Sequence, residues 1–96
     1  MIEQLPAAAL QSWLEDEGRD APLVVDVRER WEHTVCSIAG SQLIPMQEIP
    51  GRADELPKDR PIVVLCHHGM RSLQVAQYLE GAGFSRLSVL GPSSDW

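Results

Sequence analysis

Cys66 closes an apolar run, Ile62-Val-Val-Leu65, and is followed by His67, His68, Gly69, Met70, Arg71 and Ser72. A thiol with the ordinary cysteine pKa of about 8.5 is mostly protonated at neutral pH, so nucleophilic sulfur needs surroundings that favour the thiolate. The spacing offers three. A loop this short can curl around its first side chain and turn backbone N–H groups inward as an anion nest. A helix starting near Ser72, with that serine as its cap, adds a positive end. Arg71 brings a permanent charge and a forked donor suited to an anionic substrate beside the sulfur. Gly69 permits the backbone angles of the curl.

Plainer roles are available for the same residues. A buried cysteine at a strand end behaves as a small hydrophobe, but the polar, histidine-rich sequel argues against that role for Cys66. Arg71 could be a surface charge at a helix start, although an arginine there is unfavourable unless an anion is expected. His67 and His68 are adjacent, point in different directions and lack the usual ligand spacing, so no metal site is expected. Either histidine adds local positive charge, touches substrate or is simply exposed. Met70 is expected to pack the loop or line a pocket.

The elements that must position this loop alternate between strand and helix. A first helix is expected near Pro6, with Ala7, Leu10, Trp13 and Leu14 on one buried face and Gly18 ending it. Leu23-Val-Val-Asp-Val27 reads as a buried strand closed by charge. Glu29 to His33 suits one helical turn, and Leu43-Ile44 a short strand. Met46 to Leu56, interrupted by Pro50-Gly51, reads as two short helical pieces or a loop with one turn. Ile62 to Leu65 is a second continuous apolar strand, then a helix follows with Val75, Ala76 and Leu79 as its buried stripe. Gly81 and Gly83 stop that helix, and Leu87-Ser-Val-Leu90 is a last strand. The predicted architecture is α/β, a small mainly parallel sheet of about four to five strands with helices on both faces. Sites in such sheets form beyond the carboxyl ends of the strands, where Cys66 and Asp26 both fall.

Composition narrows the partners. With 96 residues, a single domain spanning the chain is expected. Fourteen acidic against eight basic residues give a net charge of −6, which argues against nucleic acid or an anionic membrane as the main partner. No apolar run reaches the eighteen or so residues of a spanning helix. The first residues, Met1-Ile-Glu-Gln-Leu5, lack the basic start and apolar core of a secretory signal. A cytoplasmic location is therefore expected, and a bridge between Cys36 and Cys66, 30 positions apart, is not.

One ordered set of short motifs carries a family resemblance. Asp26-Val-Arg28-Glu29, Trp31-Glu32, Ile38-Ala-Gly-Ser41 with Ile44-Pro45, and Cys66-His-His-Gly-Met-Arg71-Ser72 resemble a single-domain rhodanese, a thiosulfate sulfurtransferase. The similarity runs in order from about Leu5 to Leu90. It implies that Cys66 takes sulfane sulfur from a small anionic donor such as thiosulfate, becomes a persulfide and passes the sulfur to a thiophilic acceptor. It also implies that the backbone from His67 to Ser72 cradles the persulfide and that Arg71 binds or steers the donor. Asp26 and Arg28 match a strand-end motif that braces the loop. No metal or organic cofactor is implied.

The chain departs from the family at two places. Cys36-Ser37 stands where Gly-His is usual ahead of Ile38, and Leu90-Gly-Pro-Ser-Ser-Asp-Trp96 replaces a double-glycine segment leading to a tryptophan; the C-terminal helix that follows in the family is expected to be absent or truncated. Cys36 could resolve a Cys66 persulfide or be a plain semi-buried thiol. A related cysteine phosphatase or arsenate reductase would carry C-x5-R, and here four residues separate Cys66 from Arg71. A further alternative is a persulfide carrier that receives or delivers sulfur through a partner protein.

Overall fold

Five parallel strands in the order β1-β5-β4-β2-β3 form the centre of the computed structural model. The structure describes residues 2–35, 37–38, 40–66 and 70–90, without the side chain of Met70. The strands are β1 (Ile2–Leu5), β2 (Leu23–Asp26), β3 (Gln42–Leu43), β4 (Ile62–Leu65) and β5 (Leu87–Leu90). The helices are α1 (Ala7–Glu15), α2 (Arg30–Val35), α3 (Ile49–Arg52) and α4 (Met70–Gly81). The α/β architecture and the alternation of strand and helix are those the sequence predicts.

Alternation along β4 builds both halves of the core. Val63 and Leu65 face α1, packing with Leu10, Trp13, Val24 and Leu90. Ile62, Val64 and Cys66 face the other way, against Val75, Ala76 and Leu79 of α4 together with Ile49, Leu56 and Phe84. A central parallel strand covered on both faces needs apolar residues at every position, and all four residues of β4 are buried. Burying each such side chain contributes about 1.5–3 kcal/mol, so β4 is the axis of the fold.

Several boundaries and one strand differ from expectation. β1 was not predicted, because Ile2-Glu-Gln-Leu5 has apolar residues only at its ends and lies on an edge, paired to β5 alone. Pro6 precedes the first helix in an extended conformation, and that helix ends at Glu15, capped by Asp16 rather than Gly18. Leu14 is 43% exposed, since α1 packs through Leu10 and Trp13, with Ala7 beside them. β3 lies one residue earlier than expected. The helix over residues 49–52 passes through Pro50-Gly51, because proline at the start of a helix forfeits no internal hydrogen bond. It is flanked by 3₁₀ turns at Met46–Glu48 and Ala53–Glu55. α4 ends as predicted, with Gly83 in the left-handed region at φ +103°, a conformation costly for other residues. Segment 91–96, and with it the expected C-terminal truncation, lies outside the described residues.

Candidate active site

The carboxyl edge of the sheet gathers the chemistry-bearing side chains. Cys66 follows the last residue of β4 and is fully buried. Its Sγ accepts a hydrogen bond from the Ser72 backbone N–H at 3.2 Å, and Ser72 Oγ lies 3.4 Å away. Ser72 is not the cap the sequence suggested. α4 begins at Met70, so Ser72 sits buried in its first turn. Its N–H is among the first four of the helix, which have no partner inside the helix, and it turns to sulfur. A sulfur on such a donor at a helix N-terminus is placed to hold negative charge.

His67, His68, Gly69 and Cys36 lie outside the described residues, as does the side chain of Met70. For the loop itself, the structure therefore speaks through its two ends, Cys66 and Ser72.

Arg71 is next to that first turn, and its guanidinium is engaged. Nη1 and Nη2 donate to Glu32 Oε1 and Oε2 of α2 at 3.2 and 3.3 Å. The carboxylate that satisfies an arginine at a helix start is thus supplied by the protein. The Glu32 hydrogen bond is the main influence raising the Arg71 pKa, with the charge of Cys66 a smaller one. Burial pushes the Glu32 carboxyl up, but the hydrogen bond from Arg71, the Glu29 backbone N–H and the charges of Arg71 and Arg28 outweigh it. The net effect is a lowered pKa.

Asp26 ends β2 and is fully buried. Its Oδ1 accepts from the Arg28 backbone N–H at 3.0 Å and from Arg28 Nε at 2.9 Å, while Oδ2 accepts from Arg28 Nη2 at 2.7 Å. His33 Nδ1 of α2 stands 2.9 Å from Oδ2. Burial acts to raise the Asp26 pKa, and the Arg28 and His33 hydrogen bonds reverse it to a net lowering. Asp26 and Cys66 occupy neighbouring strand ends but opposite faces. Asp26 pairs with Leu65, on the α1 side, and Cys66 continues the alternation to the α4 side.

What joins them is α2, which buries none of its own residues. It reaches Asp26 through His33 and Arg71 through Glu32. Neither Glu32 nor His33 stood out in the sequence as a site residue. The available signals were the Trp31-Glu32 piece of the resemblance and the position of both residues in one turn of helix directly after the charged end of a strand.

Comparison with known proteins decides the family. A family profile described as a Rhodanese-like domain matches residues 6–94. The chain belongs to the rhodanese-like family. A sulfurtransferase of Allochromatium vinosum is 34% identical over 97 residues, covering 100% of this chain and 89% of the relative. The thiosulfate sulfurtransferase GlpE of Coxiella burnetii is 30% identical over 88 residues, covering 91% and 81%. Among solved structures, a rhodanese-related protein of Thermoplasma volcanium superposes with a TM-score of 0.85 at 32% identity, covering 98% of this chain and 89% of that one. The parallel sheet and the chain's relatives thus agree on a rhodanese-like domain akin to sulfurtransferases.

Proposed function

We propose that the chain is a sulfurtransferase working through a Cys66 persulfide, with thiosulfate or a related anionic sulfane-sulfur compound as donor. The observation that carries this reading is the Cys66 sulfur held against the Ser72 N–H in the first turn of α4. In the first half-reaction the Cys66 thiolate attacks the outer sulfur of thiosulfate. The S–S bond breaks, sulfite leaves with its electron pair, and Cys66 becomes a persulfide anion. In the second, a thiophilic acceptor such as cyanide attacks the terminal sulfur, leaving as thiocyanate and restoring the thiolate. Covalent capture divides one transfer into two displacements. The backbone of residues 67–72 is assigned to cradle the persulfide, Arg71 to steer the donor, and Asp26 with Arg28 to brace the edge.

Incubation with thiosulfate should add one sulfur atom to the protein by mass, removable with cyanide. An intact protein that takes up no sulfur, yet hydrolyses a phosphate ester, would instead point to a related phosphatase.

A second reading, a persulfide carrier served by a partner protein, is favoured by one observation. α2, whose Glu32 touches Arg71, exposes Trp31 at 68% and Val35 at 77%. An adduct formed from a protein persulfide and not from thiosulfate would select it.

A further inference from the structure

Arg71 is near enough to Cys66 for their charges to interact, yet its charge is already answered. Both terminal nitrogens are held by the two oxygens of Glu32. The pair is only partly buried, with 32% of the Arg71 side chain and 12% of Glu32 exposed, so a donor can reach the guanidinium while Glu32 stays beside it. Arg28, at the neighbouring strand end, is likewise matched, by the buried Asp26. Among the described residues, the two arginines of this edge therefore meet two carboxylates. Glu29, exposed at the start of α2, adds to the negative side and is felt at Arg71.

Among the described side chains a dianion approaching such an edge finds little uncompensated formal charge, and the repulsion from Glu32 grows in proportion to the donor's charge. A donor with one charge, or a persulfide presented by another molecule, is penalised less. We infer that Glu32 is a specificity-determining residue: by occupying the Arg71 fork it holds the donor site near neutrality and biases it toward sulfane-sulfur donors of low charge. The inference rests on the sulfurtransferase reading above and assigns Glu32 no part in bond making or breaking.

The test compares thiosulfate, a dianion, with methanethiosulfonate, a monoanion. The second donor reacts by the same displacement, the Cys66 thiolate taking the outer sulfur as methanesulfinate leaves. Glu32→Gln keeps the shape and a hydrogen bond to Arg71 but removes the charge. Its KM for thiosulfate should fall about fivefold and its KM for methanethiosulfonate about twofold, since the electrostatic effect scales with donor charge. Glu32→Asp, which retains the charge, should return the ratio of the two KM values toward that of the unsubstituted protein. A rise in both, or an equal change in both, would show that Glu32 merely holds Arg71 in place and would overturn the inference. Persulfide mass on the unsubstituted protein separates the two levels. No adduct from either donor overturns the sulfurtransferase reading as well, whereas an adduct with an unshifted KM ratio overturns only the role of Glu32.

Discussion

β4 with α4 and β2 with α2 deliver their ends to the same edge of the sheet, but different forces hold them there. β4 and α4 are joined by buried carbon: Ile62, Val64 and Cys66 pack on Val75, Ala76 and Leu79. α2 buries nothing and is attached through charge, by His33 to Asp26, Glu32 to Arg71 and Arg30 to Glu48. Apolar packing fixes an element firmly and is insensitive to salt and pH. Polar ties are directional, and the exposed ones are weak and screened. In the proposed reading the nucleophile, Cys66, is thus mounted on the packed unit, and the charges near it sit on the polar one. If the proposed role of Glu32 holds, substitutions on α2 should change donor preference without disturbing the packing around Cys66.

Substitutions that affect only one side test that division. The largest effect belongs to the packed unit. Cys66→Ser should abolish the sulfur adduct and the transfer activity entirely while leaving the melting temperature close to that of the unsubstituted protein. A surviving adduct by intact mass would place the reactive sulfur elsewhere.

Next is Asp26→Asn on the polar side. It leaves the buried Arg28 without its counter-charge, which costs about 3–5 kcal/mol for a broken buried pair. Because a small domain's whole stability is about 5–15 kcal/mol, chemical denaturation should show a large part of it gone. A loss under about 1 kcal/mol would mean that the Asp26 ties are dispensable.

Arg71→Ala should raise the thiosulfate KM by about tenfold with a smaller change in kcat, the pattern of lost binding rather than lost chemistry. An unchanged KM would remove Arg71 from donor binding.

The smallest expected effect is on acid stability. Asp26 and Glu32 are held below their ordinary values of 3.8 and 4.5. A carboxyl with a depressed folded-state pKa contributes stability above its ordinary value, and that contribution is lost as pH falls through the depressed value. Thermal midpoints should therefore decline as pH drops below about 4.5, and less so in Glu32→Gln. An identical decline in that variant would exclude Glu32 as a contributor.

The two units also differ in how far they could be read from the chain. β4, β5 and the stripe Val75, Ala76 and Leu79 were legible because continuous burial and helical spacing leave a local pattern. Cys66 and Arg71 could be singled out because a cysteine closing an apolar strand and an arginine at a helix start have few structural uses. β1 was not, since an edge strand with two exposed polar residues carries no such pattern. Glu32 and His33 were missed for a related reason. Their importance lies in partners 39 and 7 positions away in sequence, and charge on a short helix otherwise reads as solvated surface.

By itself, then, the sequence determined the α/β class, the position of Cys66 at a strand end and the four-residue interval to Arg71, because hydrophobic periodicity and motif spacing are local properties. Tertiary structure alone decided that Ser72 presents its N–H to the sulfur from inside α4 and that Asp26 lies on the opposite face from Cys66. It alone decided, too, that Arg71 is already paired. Each of these depends on which strands lie side by side and which way the pleat turns their ends, and neither is written in any single stretch of the chain.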